Sequence, residues 1–570
     1  MNTKKLYERW LLKATEFEDL KAELNNISDN ENEINDRFYR ELEFGTGGLR
    51  GVLGAGTNRM NVYTVRKATQ GLANYLLNKY AKPSVAIAYD SRNKSDEFAK
   101  QAAGVFAANG IKAYIYQELM PTPALSFAIR ELGCSAGIVI TASHNPAKYN
   151  GYKVYGDDGC QITLEAAELV LEQINGIDAF DGVKTASFDS GLKSGIIEYI
   201  QQAVIDKFIA CVKAEAINKD FSKNAGLKVV YTPLNGAGNR CVRRILSEIG
   251  IADVTVVPEQ EKPDGNFPTC PYPNPEIKEA LQKGLELCAK VNPDLLLATD
   301  PDCDRVGIAV NHGGEFKLLT GNEVGVLLLD YIAKQRIANG TMPQKPIAVK
   351  TIVTTTMADA VAKNYGIEII NVLTGFKFIG EQIGMLEQKG EQGRYIFGFE
   401  ESYGYLSGAY VRDKDAVNAS MLICEMAVYY KNMGKTLVDA LNELYEKYGI
   451  YYNMLSNFAF EGADGMAKMN GIMQKLRENA PDEIAGFKVV LFADYEKSVK
   501  TENGKASEIN LPKSNVLEFG LDNGATFIVR PSGTEPKLKI YYSLKSDSHQ
   551  KVAELAKKLE ADVKRIIGLN

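Results

Sequence analysis

The chain has 570 residues, 45% hydrophobic and 24% charged. At about 150 residues per domain this implies roughly four domains, and it excludes a fibre or a mostly disordered chain. Lys plus Arg number 66 against 72 Asp plus Glu, a net charge of −6, so nothing draws the whole molecule to nucleic acid or an anionic membrane, although a local basic pocket for an anionic substrate stays open.

The opening residues, Met1-Asn-Thr-Lys-Lys-Leu-Tyr-Glu-Arg-Trp10, place charges where a signal peptide needs an apolar stretch, so a cytoplasmic location is expected. Up to about residue 40 the sequence is acidic and helix-like, with Leu6, Trp10 and Leu11 at helical spacing, which predicts a packing arm rather than a catalytic element. A glycine-rich stretch, Phe44-Gly-Thr-Gly-Gly-Leu-Arg-Gly51, follows. Then one pattern recurs three times: apolar strand, polar loop, helix, a Gly-Ile stop and a second apolar strand. The copies run from Ser84–Tyr89 to Asn109–Tyr116, from Leu227–Tyr231 to Ile249–Val257, and from Ile347–Lys350 to Tyr365–Val372. Glycine at a helix end takes the left-handed conformation at little cost, and the apolar run behind it reads as the next parallel strand. Any large α/β protein contains such units. Their wide, regular separation favours three similar α/β domains with mixed, mostly parallel sheets.

Val324–Leu329 is apolar, but Asp330 follows it and no uncharged run reaches the about 18 residues of a membrane-spanning helix. From about Tyr451 the character changes: a helix near Gly465–Glu478, strands near Lys488–Phe492 and Ala525–Val529, and an amphipathic helix from Ser548 to Ile567 predict a smaller α+β domain. The expected domains are 1–205, 206–320, 321–450 and 451–570. Eight cysteines without a CxxC pair argue against disulfides or zinc, and the three histidines, His144, His312 and His549, cannot build a His-rich metal centre.

Four loops carry chemistry-bearing residues. In Ile138-Val-Ile-Thr-Ala-Ser-His-Asn-Pro146 an apolar strand ends in a turn bearing Ser143, on the sheet edge where open α/β folds bind ligands. His144 adjoins it and Lys153 lies ten residues on, a proton acceptor and a positive charge of the kind a nucleophilic serine needs. The local residues are equally consistent with a Ser-His turn held by capping hydrogen bonds. In Asp294-Leu-Leu-Leu-Ala-Thr-Asp-Pro-Asp-Cys-Asp-Arg305 an apolar strand feeds Asp300, Asp302 and Asp304. Carboxylates so crowded repel unless a cation lies between them, and oxygen ligands suit Mg²⁺ or Mn²⁺, which outweighs a solvated acidic turn. Glu400 and Ser402, in Ile396-Phe-Gly-Phe-Glu-Glu-Ser-Tyr-Gly404, suit polyol hydroxyls, but alone they describe an exposed turn. In Phe527-Ile-Val-Arg-Pro-Ser-Gly-Thr-Glu-Pro-Lys537 a strand delivers Arg530 to Ser532, Gly533 and Thr534, a fork plus hydroxyl and amide donors as in a phosphate cradle; the alternative is a plain Pro-Ser-Gly turn. Gly434-Lys-Thr436 is no nucleotide loop, because Tyr429 stands where the earlier glycine is needed, and Arg50 replaces the last glycine of a dinucleotide fingerprint.

In order and spacing these four loops resemble the α-D-phosphohexomutase family across essentially the whole chain. The resemblance implies three similar α/β domains and a smaller fourth around one central cleft. It also implies a phosphoserine mechanism: Ser143 carries a phosphoryl group, and one Mg²⁺ per chain is held by Asp300, Asp302, Asp304 and an oxygen of that group. Arg50 and Arg305 would neutralise the transferring charge, and Lys153, its pKa depressed by a closed basic cleft, would serve as general base and acid with His144 assisting. The cradle at Arg530, Ser532, Gly533, Thr534 and Lys537 would hold the idle phosphate, while Glu400, Ser402, Thr374 and Gly375 bind sugar hydroxyls. Members with Glu-Glu-Ser in this turn favour glucose, so the implied substrates are glucose 1-phosphate and glucose 6-phosphate, with glucose 1,6-bisphosphate as activator. Pentose and mannose phosphates are the alternatives within the family, and a metal-dependent sugar phosphatase or a non-catalytic sugar-phosphate binder outside it. Sugar phosphates are the expected partners, with no nucleic acid, no membrane, and a monomer or weak dimer.

Overall fold

The computed structural model describes residues 3–45, 47–218, 226–460, 464–531 and 537–569. Fifteen strands build three α/β sheets. The first contains β1 (Gly48–Val52), β2 (Ser84–Tyr89), β3 (Lys112–Ile115), β4 (Ala136–Ile140), β5 (Tyr149–Gly156) and β6 (Ile197–Tyr199), in the order β1-β5-β4-β2-β3-β6. The second contains β7 (Lys228–Thr232), β8 (Asp253–Val256), β9 (Leu295–Thr299), β10 (Val306–His312) and β11 (Glu315–Leu319), ordered β11-β10-β9-β7-β8. The third contains β12 (Ile347–Thr351), β13 (Glu368–Val372), β14 (Tyr395–Glu400) and β15 (Gly404–Leu406), ordered β13-β12-β14-β15.

Each repeat pairs its two strands in parallel: β2 with β3, β7 with β8, β12 with β13. All three Gly-Ile stops work as the sequence predicts, with φ of +74° at Gly110, +93° at Gly250 and +66° at Gly366. The sheets are mixed because each continues into an antiparallel pair next to its central strand: β4–β5, β9–β10 and β14–β15. Those central strands, β4, β9 and β14, are buried along their whole length, as unbroken apolar runs require. Each ends at one of the chemistry-bearing loops.

The fourth sheet is antiparallel throughout. Its long outer strand, Ile450–Ala459, pairs residue by residue with Lys537–Ser546, which in turn pairs with Thr526–Pro531. The helices Gly465–Glu478 and His549–Ile566 contribute Met469, Met473, Val552 and Leu559 to its core. A cluster of Val353, Leu373, Tyr495, Ile528 and Tyr541 seats this sheet against the third.

The arm is three helices, Thr3–Lys13, Glu18–Asn26 and Glu31–Phe38. Trp10 packs edge-on against Phe38 within the arm and anchors the arm to Tyr63 and Phe180, with ring centroids 5.8, 5.5 and 5.2 Å away. The eight cysteines are free, seven of them buried. No helix among the described residues is long and apolar enough to cross a membrane.

Candidate active site

The serine loop follows β4, and the backbone at Ser143 is left-handed, φ +51°, a conformation that a residue with a side chain adopts only when its surroundings impose it. The Ser143 N–H donates to Thr141 Oγ1 at 2.8 Å, and the Thr141 hydroxyl donates to buried Asp90 at 2.6 Å. So held, Ser143 Oγ donates across the junction between the first two sheets to Asp300 Oδ2 at 3.0 Å and lies 3.2 Å from His144 Nδ1.

The aspartate loop follows β9. Asp300 Oδ1 accepts the backbone N–H groups of Asp304 and Arg305 at 3.1 and 3.0 Å, and the Thr122 N–H donates to the Asp302 carbonyl at 2.9 Å. Asp300, Asp302 and Asp304 are fully buried and present one carboxylate oxygen each within 4.8 Å of one another. Oδ1 of Asp302 and Oδ1 of Asp304 have no hydrogen-bond partner among the described residues. Burial followed by repulsion from Asp302 and Asp304 pushes the Asp300 carboxyl well above the carboxylate range. Burial acts on Asp302 as well, but Lys153, the hydrogen bond with Asp300 and Lys414 together outweigh it and hold that carboxylate low. Crowded, dry oxygens with orphaned lone pairs suit a small divalent cation, so the cluster is a candidate metal site.

Lys153, on β5, binds this cluster: Nζ is 2.9 Å from Asp302 Oδ2 and 3.7 Å from Asp304 Oδ2. The structure departs here from the expected depressed pKa. Burial does act to lower the ammonium pKa, but Asp302 and Asp304 overcome it and raise the value, so Lys153 stands protonated. His144 goes the other way: burial, then Arg305, hold its imidazole well below the ordinary value and keep it neutral.

A second lysine, absent from the sequence reading, closes the cluster. Lys414 Nζ lies 2.9 Å from Asp304 Oδ2 and 3.4 Å from Asp413, whose other oxygen accepts from Tyr155 at 2.6 Å. Nothing local marks Lys414, which sits in a charged run, Arg412-Asp-Lys-Asp415, that reads as a solvated turn. Arg305 pairs with Glu276 at 2.6 Å, and its Nε approaches Asp304 at 3.8 Å.

At the end of β14, Glu400 is buried rather than on an exposed turn. Its Oε1 accepts the Gly375 N–H at 3.0 Å, which brings the Thr374–Gly375 loop and the Glu-Glu-Ser turn together. Burial pushes the Glu400 carboxyl up to about 7 against the pull of Lys414. Thr374 Oγ1 is buried without a partner among the described residues, while Ser402 is half-exposed beside Glu400.

Arg50, on β1 opposite Gly151, is exposed to a cavity of about 1220 Å³ that Lys153, Thr141, Asn145, Arg530 and Lys539 also line. The serine side of the site and the C-terminal arginine therefore share one space. Ser532, Gly533 and Thr534 lie outside the described residues. Lys537 is exposed and does not line this cavity; Lys539, two residues on and paired with Arg530 across the strands, does. Strand alternation carried a signal for it, since Lys539 and Tyr541 face away from buried Leu538, Ile540 and Tyr542. Burial, then Arg530, lowers the Lys539 pKa.

Residues 41–180, 205–314 and 320–448 match the phosphoglucomutase/phosphomannomutase α/β/α domains I, II and III, and residues 459–562 match that family's C-terminal domain. A phosphoglucomutase from Staphylococcus aureus is 38% identical over 553 residues, spanning 96% of this chain and 97% of that one. Two solved structures share the fold at a TM-score of 0.68. A putative phosphomannomutase from Thermus thermophilus has 23% identity over 93% of this chain and 99% of its own. The phosphoglucomutase parafusin from Paramecium has 18% identity over 93% of this chain and 97% of its own.

Proposed function

The chain belongs to the phosphoglucomutase/phosphomannomutase family, and from that membership we propose that it is a phosphoglucomutase, interconverting glucose 1-phosphate and glucose 6-phosphate through a phosphorylated Ser143. The observation that carries the reading is the meeting of Ser143 Oγ with Asp300 at 3.0 Å at the edge of a space that Arg530 also reaches.

In the proposed reaction the P–Oγ bond of phospho-Ser143 breaks as a P–O bond forms to the free hydroxyl of the sugar monophosphate. That hydroxyl's proton passes to a base in the site, and Ser143 Oγ, released from phosphorus, takes up a proton to become a hydroxyl. The bisphosphate turns round, the bond from its other phosphorus to the sugar oxygen breaks as P–Oγ re-forms, Ser143 gives up its proton and the sugar oxygen takes one. Neutral His144, 3.2 Å from Ser143 Oγ, is placed to accept a proton; protonated Lys153 is the donor. Once a proton has left, Lys153 can act as base in the reverse direction, which unites the two roles in one side chain.

Arg50 and Arg305 supply fixed positive charge, and Arg530 with Lys539 and the Ser532–Thr534 loop holds the phosphate that is not reacting. Glu400, Ser402 and the Thr374–Gly375 loop take the sugar hydroxyls. Asp300, Asp302 and Asp304 would hold one Mg²⁺, which when bound neutralises charge on the phosphoryl group. Glucose 1,6-bisphosphate, the intermediate itself, is the activator that phosphorylates an empty Ser143. The cavity volume supports turning in place, since it exceeds the roughly 300–1,000 Å³ of an ordinary ligand pocket.

The test is a side-by-side assay of glucose, mannose, ribose and glucosamine 1-phosphates with Mg²⁺ and the catalytic bisphosphate, following both the 6- or 5-phosphate isomer and free phosphate. Glucose 6-phosphate without net hydrolysis is expected. Release of free phosphate with no isomer would replace the mutase by a phosphatase.

A further inference from the structure

Besides the Thr141–Asp90 pair, the strained serine loop has a second buried clamp, a group not assigned above. Arg92, in the loop after β2, has a fully buried side chain. Its Nη1 donates to the carbonyls of Pro146 and Tyr149 at 3.0 and 3.1 Å, and its Nη2 donates to the carbonyls of Ser143 and Asn145. One guanidinium thus gathers four carbonyls spread over the whole connection between β4 and β5.

The fork is itself fixed on two sides. Arg92 Nε lies 3.4 Å from Asp90 Oδ2, the same carboxylate that receives the Thr141 hydroxyl and so orders the Ser143 N–H. From the neighbouring domain, the buried Phe267 ring lies 5.1 Å from the guanidinium, and Asn93 donates to Asn266 at 2.9 Å. Carbonyls turned inward on a tight loop repel one another. A planar cation with two paired donors cancels that repulsion in a geometry that a lysine ammonium cannot reproduce.

We propose that Arg92 is a positioning residue for phosphoryl transfer: its fork holds the serine loop in the left-handed turn that aims Ser143 Oγ at Asp300, and Phe267 fixes the fork relative to the aspartate loop's domain. The inference rests on Ser143 as the phosphoryl carrier. The Arg92 side chain is fully buried and does not line the cavity that Arg50 and Arg530 share, so it acts on the rate and not on the affinity. A displacement of about 1 Å at a reacting atom costs about 100-fold.

The experiment compares Arg92→Lys, Arg92→Ala and Phe267→Leu in the full chain. It follows kcat and KM for glucose 1-phosphate, the rate at which glucose 1,6-bisphosphate loads Ser143 by intact mass, and the thermal midpoint. Arg92→Lys is expected to slow loading and kcat about 100-fold with KM changed less than about two-fold. Phe267→Leu is expected to lose about five-fold in kcat by the same pattern, and it remains informative if both Arg92 variants fail to fold. Added guanidinium should restore part of the Arg92→Ala loading rate, where methylammonium should not. Wild-type loading and kcat in Arg92→Lys or in Phe267→Leu would overturn the proposal, as would a rise in KM that matches the fall in kcat. If the unaltered chain itself took no phosphoryl group on Ser143, the functional reading would fall first, and for a different reason.

Discussion

The junction of the serine and aspartate loops and the Arg530 face of the C-terminal sheet are built on opposite principles. At the junction everything is dry and already in contact: Ser143 is 6% exposed, Asp300 and Asp302 not at all, and hydrogen bonds of 2.9–3.2 Å from Ser143, Lys153 and Thr122 reach the aspartate loop. The Arg530 face is half-buried and stands across a wide cavity, attached to the rest of the molecule through an apolar seat on the third sheet. The difference follows from the chemistry. In the proposed reaction the transferring group always meets the same oxygen, so that part can be rigid, whereas the sugar must present either end and the part proposed to hold the far phosphate must leave it room. Preorganisation belongs where charge moves, and space belongs where the ligand turns.

Removing the rigid partner should therefore cost turnover and little affinity. Ser143→Ala leaves Arg50, Arg530, Lys539 and Glu400 in place, so sugar-phosphate binding by calorimetry should stay within a few-fold while turnover falls to the background rate. Residual activity at the wild-type level would mean that the phosphoryl group never resides on Ser143, and the contrast between the two regions would lose its basis.

What could be read in advance follows the range of the interactions involved. The Gly-Ile stops at 110, 250 and 366 were legible because a helix C-cap is decided within a few residues. The aspartate loop was legible because three alternate carboxylates behind an apolar strand have few other uses. Arg92, Lys414 and Lys539 were not singled out. Arg92 acts on residues more than 50 positions downstream, Lys414 on Asp304 from another sheet, and the charge of each suggests a surface until the fold buries it. The Lys153 shift has the opposite sign to the expected one for the same reason: a basic cleft predicts a depressed pKa, but the nearest charges are the carboxylates of the facing domain. The strand Ile450–Ala459 is legible in principle, since Ile-Tyr-Tyr and Phe458 favour pleated structure, but it lies at the boundary where the sequence changes character and no alternation marks it clearly.

On the open side, the loss should appear in affinity instead. Arg530→Ala removes a charge-assisted phosphate contact of about 1–3 kcal/mol, so KM for glucose 1-phosphate should rise about 5- to 150-fold with kcat much less affected. Lys539→Ala should act in the same direction and more weakly, because an ammonium offers no bidentate fork. Since the two cations lie side by side across paired strands, the double variant should fall short of the sum of the single effects if one phosphate is their common partner. A fall in kcat with KM unchanged would place the C-terminal face with the rigid half and erase the contrast.

The smallest effect lies between the two regions, at Glu400, which is as buried as the junction yet is proposed to take sugar hydroxyls. Its carboxyl is pushed up to about 7 by burial, so across pH 6 to 8 it passes from mostly neutral to mostly ionised. Ionised, it is the better acceptor for sugar hydroxyls, so KM should fall by a few-fold as pH rises through 7, beyond the change due to the substrate's own phosphate. Stability runs the other way. A folded pKa above the unfolded value near 4.5 means that the favourable contribution is complete below about 4.5 and is lost as pH rises through about 7. Glu400→Gln should remove both dependences together, flattening the KM profile relative to the unaltered chain and reducing the loss of thermal midpoint between pH 5 and 8. A KM profile that keeps its slope in Glu400→Gln would assign the titration to another group, and the sugar-facing wall would then belong wholly to the open region.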